Sequence, residues 1–136
     1  MTEGTISEDA RRWRWRVFSA TWLSYACYYF CRKPFYVAKS SLEDELGWDA
    51  ERLGMVGAAY LVAYAVGQFI SGWAGSRWGP RLLVLAGMGG SAGANLAIGL
   101  TNSWGTFLAF MVINGLAQSS GWCGNVGTMG AWTRRE

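Results

Sequence analysis

Arg32 closes a charge-free run from Val17 to Cys31 and is followed at once by Lys33 and Pro34. That run makes about 22 Å of helix at 1.5 Å per residue, short of the roughly 30 Å apolar core of a bilayer. A helix crossing here must continue through Arg32 and Lys33 to about Ala38. Holding a permanent cation at such depth costs about 2.5–3.5 kcal/mol on insertion scales, which marks the residue as a candidate binding group. A guanidinium is a planar fork of donors that matches the oxygens of a phosphate or carboxylate. Tyr25, Tyr29, Arg32, Tyr36 and Lys39 are spaced by fours and threes and share one helical face. Three phenols and two cations on one face suit a hydrated cavity and an anion. The competing arrangement ends the helix near Cys31 and lets Arg32 snorkel to the headgroups, and Pro34 favours a break or kink there. Lys33, about 100° around the helix from Arg32, and Lys39, near the outer interface, read as anchors rather than ligands.

Two later segments carry further polar stripes. Tyr60, Tyr64 and Gln68 are four apart, and Asn114, Gln118, Trp122 and Asn125 share a face. Such stripes either bond one helix to another or line the same cavity as Arg32, and spacing does not choose between these. No carboxylate falls inside an apolar segment, which argues against a cation or proton path built on an intramembrane acid. Nothing points to an enzyme or a cofactor: there is no His, no phosphate-binding glycine loop between strand and helix, and no carboxylate pair at depth. Cys27, Cys31 and Cys123 form no C-x-x-C pair, so they read as small packing residues and no metal site is expected.

The elements that must position these groups are membrane helices. The chain of 136 residues is 51% hydrophobic and only 15% charged, and between Leu53 and Arg134 its only charges are Arg77 and Arg81. Soluble cores do not leave such gaps. The expected class is an all-α, polytopic membrane protein of four transmembrane helices, at about 17–38, 53–73, 82–100 and 104–132. The net charge of +3 is a matter of topology and not of nucleic acid. Arg11, Arg12, Arg14, Arg16, Arg77, Arg81, Arg134 and Arg135 fall on one side of those segments. The acidic stretch from Glu43 to Glu51 and the turn Thr101-Asn102-Ser103 fall on the other. By the positive-inside rule both ends are cytoplasmic. Residues 1–16 read as a cytoplasmic tail, disordered to about residue 10, and the Arg32-Lys33-Pro34 sequence argues against a cleaved signal peptide. Residues 133–136 read as the start of a cytoplasmic loop, an ending that points to truncation. Small residues recur at Gly67, Ser71, Gly75 and Gly79 and at Gly89, Gly93 and Ala97, stripes that let helix backbones approach closely.

The stretch YACYYFCRKPF from Tyr25 to Phe35 resembles the first helix of the organophosphate:phosphate antiporters of the major facilitator superfamily. Gly72 to Arg81, GWAGSRWGPR, is similar to the superfamily's loop motif between its second and third helices, carried by Gly72, Arg77, Gly79 and Arg81. Asn114 to Trp132, with its NG, Q, GW and later TM and W, is similar to the family's fourth helix. The resemblance covers the chain from about Arg12 onward. It implies exchange of an organic phosphate, such as a sugar phosphate or glycerol phosphate, for inorganic phosphate by alternating access, in a cell membrane of bacterial inner-membrane type. It gives Arg32 the substrate phosphate, with Tyr25, Tyr29, Tyr64 and Trp122 bordering the site and Gln68 beside them. The partners it implies are the anionic substrate, the lipid bilayer and the missing C-terminal half of the same carrier.

Three departures loosen the substrate assignment. Gln68 stands where the glycerol-3-phosphate carrier has a lysine, Ser76 where the loop motif has an acid, and Cys123 to Gly127 where the family has an arginine-bearing stretch. A family carrier needs about twelve helices, and this chain supplies four. Two alternatives use four helices alone or no transport at all. One is a small dimeric exporter, a type that uses an intramembrane Glu absent here. The other is a non-transporting sensor of phosphate esters.

Overall fold

Proline and glycine set the boundaries of the elements. In the computed structural model, which describes residues 8–133, five helices follow one another: α1 Glu8–Arg32, α2 Pro34–Leu46, α3 Ala50–Trp78, α4 Pro80–Gly99 and α5 Trp104–Thr133. No strand occurs among the described residues, so the class is all-α as expected. Pro34 and Pro80 open α2 and α4, positions where the missing N–H leaves no bond unmade. Gly47 and Gly79 end α2 and α3 at φ +62° and +86°, the two positive-φ positions of the described chain, where a side chain would be strained. Asp49 caps α3 by accepting from the Arg52 N–H at 2.8 Å. Trp48 before that cap and Leu53 within the first turn are both buried in one apolar cluster, the arrangement of a hydrophobic staple.

The first segment departs most from expectation. A single helix over 17–38 is replaced by two helices that meet at Lys33. Lys33 keeps helical angles, and its N–H still reaches the Tyr29 carbonyl at 3.2 Å. The helix therefore bends at Pro34 and does not stop, because proline has no N–H and its ring crowds the preceding turn. Asn95 of α4 donates to the Cys31 carbonyl at 3.1 Å and to Ser91 at 2.9 Å, tying the bend to its neighbour. The helical rod is also longer at both ends: residues 8–16 of the expected tail belong to α1, and Glu43 to Glu45 belong to α2. Residues 1–7 and 134–136, including Arg134 and Arg135, lie outside the described residues.

The other expected segments lie within or beside α3, α4 and α5. By length and composition α3 and α4 are each able to cross a membrane, with mean hydropathy 1.6 and 1.5. The arginines of α1 and the Ser, Asn, Gln and Gly of α5 dilute those two helices.

α5 is the centre of the bundle, packed along α3 on one side and α4 on the other, with α1 crossing it. Small residues allow that approach. A Cβ on Gly115 would stand 2.6 Å from the Tyr60 carbonyl, and one on Gly67 would stand 2.5 Å from Ser119 Oγ. Ser71, the next member of the Gly67 stripe, bonds Ser119 at 2.9 Å. The second expected stripe needs correction. Gly89 and Gly93 face open space, and the stripe that packs on α5 is Gly87, Ser91 and Ala94. A four-residue spacing of glycines fits either face of α4, and only the partner helix decides which is used.

One end of the bundle is closed by apolar packing. Phe35 of α2, Leu53 and Val56 of α3, and Phe107 and Met111 of α5 form its core with Trp48, whose ring stands edge-on to Phe107 at 5.1 Å.

Candidate functional site

Arg32 is the last residue of α1, so its side chain emerges where the helix bends. Its guanidinium carbon lies 4.9 Å from the centre of the Tyr64 ring and 5.7 Å from that of Tyr60. The two tyrosines are one turn apart on α3 and stack at 6.3 Å with 24° between their planes. They form an aromatic shelf for the cation, an arrangement worth about 0.5–2 kcal/mol. No acid occurs between Asp9 and Glu43 or between Glu51 and Glu136, so the acids of α1, α2 and α3 lie toward helix ends, two or more turns in sequence from Arg32 and its tyrosines.

Two turns earlier on α1, Tyr25 contacts Tyr29 edge-on at 5.3 Å and reaches across to Trp122 of α5 at 6.1 Å. Trp122 and Tyr29 are about half exposed. The structure thus brings Arg32 onto Tyr64 and joins Tyr25 and Tyr29 of α1 with Trp122 of α5 as a second aromatic group. Tyr36 lies beyond the bend with Lys33 Nζ 5.9 Å from its ring centre. Gln68 is drawn to the α3–α5 contact, where its Oε1 accepts from Cys123 Sγ at 3.2 Å. Cys27, Cys31 and Cys123 are free thiols, each partly exposed.

The α5 stripe divides in two. Asn114 and Gln118 are buried and engaged between helices: Ser91 Oγ donates to Asn114 Oδ1 at 2.7 Å, and Gln118 Nε2 donates to Ser91 Oγ at 3.0 Å and to the Tyr28 carbonyl at 3.2 Å. Asn125 is different. It is 8% exposed, and its Nδ2 has no hydrogen-bond partner.

Two participants were not singled out as site residues in the sequence. Tyr60 is 3% exposed, and its hydroxyl has no hydrogen-bond partner. It borders a cavity of about 10 Å³ behind Arg32 that Asn95 and Asn114 also line. Its place in the Tyr60, Tyr64, Gln68 series was the available signal. Tyr28 is buried, with its hydroxyl 2.9 Å from both the Val84 carbonyl and Ser120 Oγ. Nothing local marks it, because the space for its ring is made by Gly121 of α5 and Gly87 of α4.

The loop motif lies well away, about 20 Å along α3 from Tyr64 to Arg77 at 1.5 Å per residue. Gly79 turns the chain, with its N–H on the Gly75 carbonyl at 3.0 Å. Arg77 stands over the Trp73 ring at 5.9 Å, and Ser76 Oγ donates to the Trp73 carbonyl at 2.7 Å. Gly72 has open space around it, and Arg81 is exposed on the first turn of α4.

Residues 21–136 match the family model described as Major Facilitator Superfamily. A probable hexose phosphate transport protein of Chlamydia trachomatis is 32% identical over 117 residues, which cover 86% of this chain and 26% of that protein. The glycerol-3-phosphate transporter of Bacillus subtilis is 36% identical over 128 residues, covering 90% and 28%. The glucose-6-phosphate exchanger SLC37A2 of Homo sapiens is 35% identical over 143 residues, covering 82% and 28%. The chain therefore spans between a quarter and a third of the length of these relatives. No solved structure matches it.

Proposed function

Because the chain belongs to the major facilitator superfamily, we propose that it forms the first membrane helices of a carrier that exchanges an organic phosphate for inorganic phosphate. α1 with α2, then α3, α4 and α5 are the four spans, both ends of the described chain face the cytoplasm, and the acidic residues of α2 face outward. Arg32 is the ligand of the travelling phosphate, with Tyr25, Tyr29, Tyr64, Gln68 and Trp122 around it. The observation that carries this reading is a guanidinium held on two tyrosine faces in a region without carboxylates. Aromatic faces support the charge without neutralising it, so its edge donors stay available to an anion. The remaining helices of the carrier supply the other part of the site, and the two halves rock about it. Gly72, Arg77, Gly79 and Arg81 form the cytoplasmic latch of that motion, and Gly79 is the pivot of the short α3–α4 turn. The names of all three relatives describe carriers of phosphate esters, which supports transport and not catalysis.

The test is Arg32→Lys in the complete carrier, reconstituted in liposomes loaded with phosphate. Lysine keeps the charge and loses the bidentate fork. Exchange is expected to fall by about 100-fold or more, a loss of roughly 3 kcal/mol at the site. Exchange at unchanged rate and half-saturation would remove Arg32 from the mechanism. Ester binding without any counterflow in the unaltered carrier would identify a sensor.

A further inference from the structure

The first turns of α1 carry a stripe that the transport reading does not use. Arg11, Arg14, Trp15 and Phe18 stand at the i, i+3, i+4 and i+7 positions of one helical face. This face meets the end of α5 across a groove of about 270 Å³, whose other wall is Met129 and Trp132. Two guanidinium groups and no acid line the groove, and the rest of the lining is apolar. Trp15 is 65% and Trp132 42% exposed, so much of each ring is left uncovered by the other helices. Trp15 stands edge-on to Phe18 at 5.8 Å. On the far side of the same turns, the Arg16 guanidinium lies 5.3 Å from the centre of the Trp13 ring. From Glu8 to Arg16 four arginines stand against two acids, Glu8 and Asp9.

We propose that this groove is a docking site for a negatively charged phospholipid of the cytoplasmic leaflet, its phosphate on Arg11 and Arg14 and its acyl chain along Phe18 and Met129. The depth of the groove argues for that occupant. The charge-free stretch begins at Val17, and Arg14 and Arg11 stand about 5 Å and 9 Å before it at 1.5 Å per residue. A headgroup layer is roughly 5–8 Å deep on each side of the hydrocarbon. The two cations therefore fall near the level of lipid phosphates, and Phe18 falls at the start of the acyl chains. A phospholipid has its parts in the same order, with the anion above and the hydrocarbon below. Trp15 and Trp132 sit at the boundary, where amphipathic rings are favoured. Basic pockets between helices at this level suit anionic headgroups. A headgroup that carries an ammonium would bring a positive charge beside the arginines, so the site prefers a lipid without one. A free phosphate would leave the apolar walls bare.

The test is native mass spectrometry of the complete carrier in mild detergent, mixed with equal amounts of phosphatidylglycerol and phosphatidylcholine of the same acyl chains. It involves no flux, so it stands or falls apart from the role of Arg32. Retention of phosphatidylglycerol is expected to exceed that of phosphatidylcholine about 25-fold, about fivefold for each arginine. Arg11→Gln combined with Arg14→Gln is expected to bring the two lipids to within about twofold of each other. Arg12→Gln combined with Arg16→Gln, at residues that do not line the groove, should leave the preference in place. Arg11→Gln alone, at an exposed position, is expected to lower the preference about fivefold and keeps the test decisive where the double variant does not fold. Equal retention of the two lipids by the unaltered carrier, or equal losses from the two arginine pairs, would overturn the site. Displacement of the bound lipid by millimolar inorganic phosphate would also overturn it and give the arginines to the free anion.

Discussion

Two polar regions meet on α5 and are finished differently. Toward α4, Asn114 and Gln118 are joined to Ser91 and to the Tyr28 backbone, and Ser120 to the Tyr28 hydroxyl. Toward α1, Trp122 and Asn125 line an open cavity with Tyr25, and two turns further along α1 from Tyr25 stands the Arg32 cation on its tyrosine rings. The residue types overlap, while the degree of satisfaction does not. A polar group whose bonds are all met by other helices fixes their register. One whose bonds are left unmade is open to a partner from outside these five helices.

The sharpest way to break this contrast is at the closed region. A Cβ on Gly87 would overlap Ser120 and stand 2.7 Å from the Tyr28 hydroxyl. Gly87→Leu is therefore expected to cost about 3 kcal/mol or more through overpacking, seen as loss of monodisperse protein in size-exclusion chromatography. A well-folded variant with normal melting would show that α4 and α5 do not approach as described. A milder change is Ser91→Ala, which removes one partner each from Asn114 and Gln118. Interhelical bonds in membranes average near 0.6 kcal/mol, so a loss of about 1 kcal/mol is expected in a denaturant or thermal series. Affinity for phosphate should not move, and a change there would merge the two regions into one.

The smallest effect should come from Tyr60→Phe. Its hydroxyl meets no hydrogen-bond geometry, although the Arg32 guanidinium lies beside it, so removing it should alter stability by less than about 0.5 kcal/mol. The ring that supports Arg32 remains. A destabilisation above about 1 kcal/mol would place Tyr60 in the closed network with Asn114.

The sequence made the open region easier to read than the closed one. Tyr25, Tyr29 and Arg32 on α1, and Tyr60 and Tyr64 on α3, are spaced at three and four, and a helix turns such spacing directly into a shared face. Pro34 signalled a break in advance, and the bend it makes is tied down by Asn95 of α4, a partner that no local pattern names. The role of Tyr28 depends on glycines in two other helices, and no local pattern carries that information. On α4, glycines at Gly87, Gly89, Gly90 and Gly93 allow more than one stripe. The lipid-facing and protein-facing sides of such a helix have similar composition, because burial brings no hydrophobic gain within lipid. Gln118 and Asn114 were legible as polar and aligned, and their partners on α4 decided between the two readings.

The thiol of Cys123, resting on the Gln68 side chain beside the aromatic group, also gives the molecule a natural reporter. Thiol-specific alkylation reads access to a sulfur, and Cys123 is a partly exposed residue next to Trp122. With Cys27 and Cys31 replaced by serine, the rate of modification of Cys123 by a small maleimide should fall when saturating phosphate ester is present. The same rate should be indifferent to an uncharged sugar, which Arg32 has no means to hold. Labelling chemistry can thus follow occupancy through mass spectrometry on a few micrograms of protein, without any flux measurement and with no cysteine introduced.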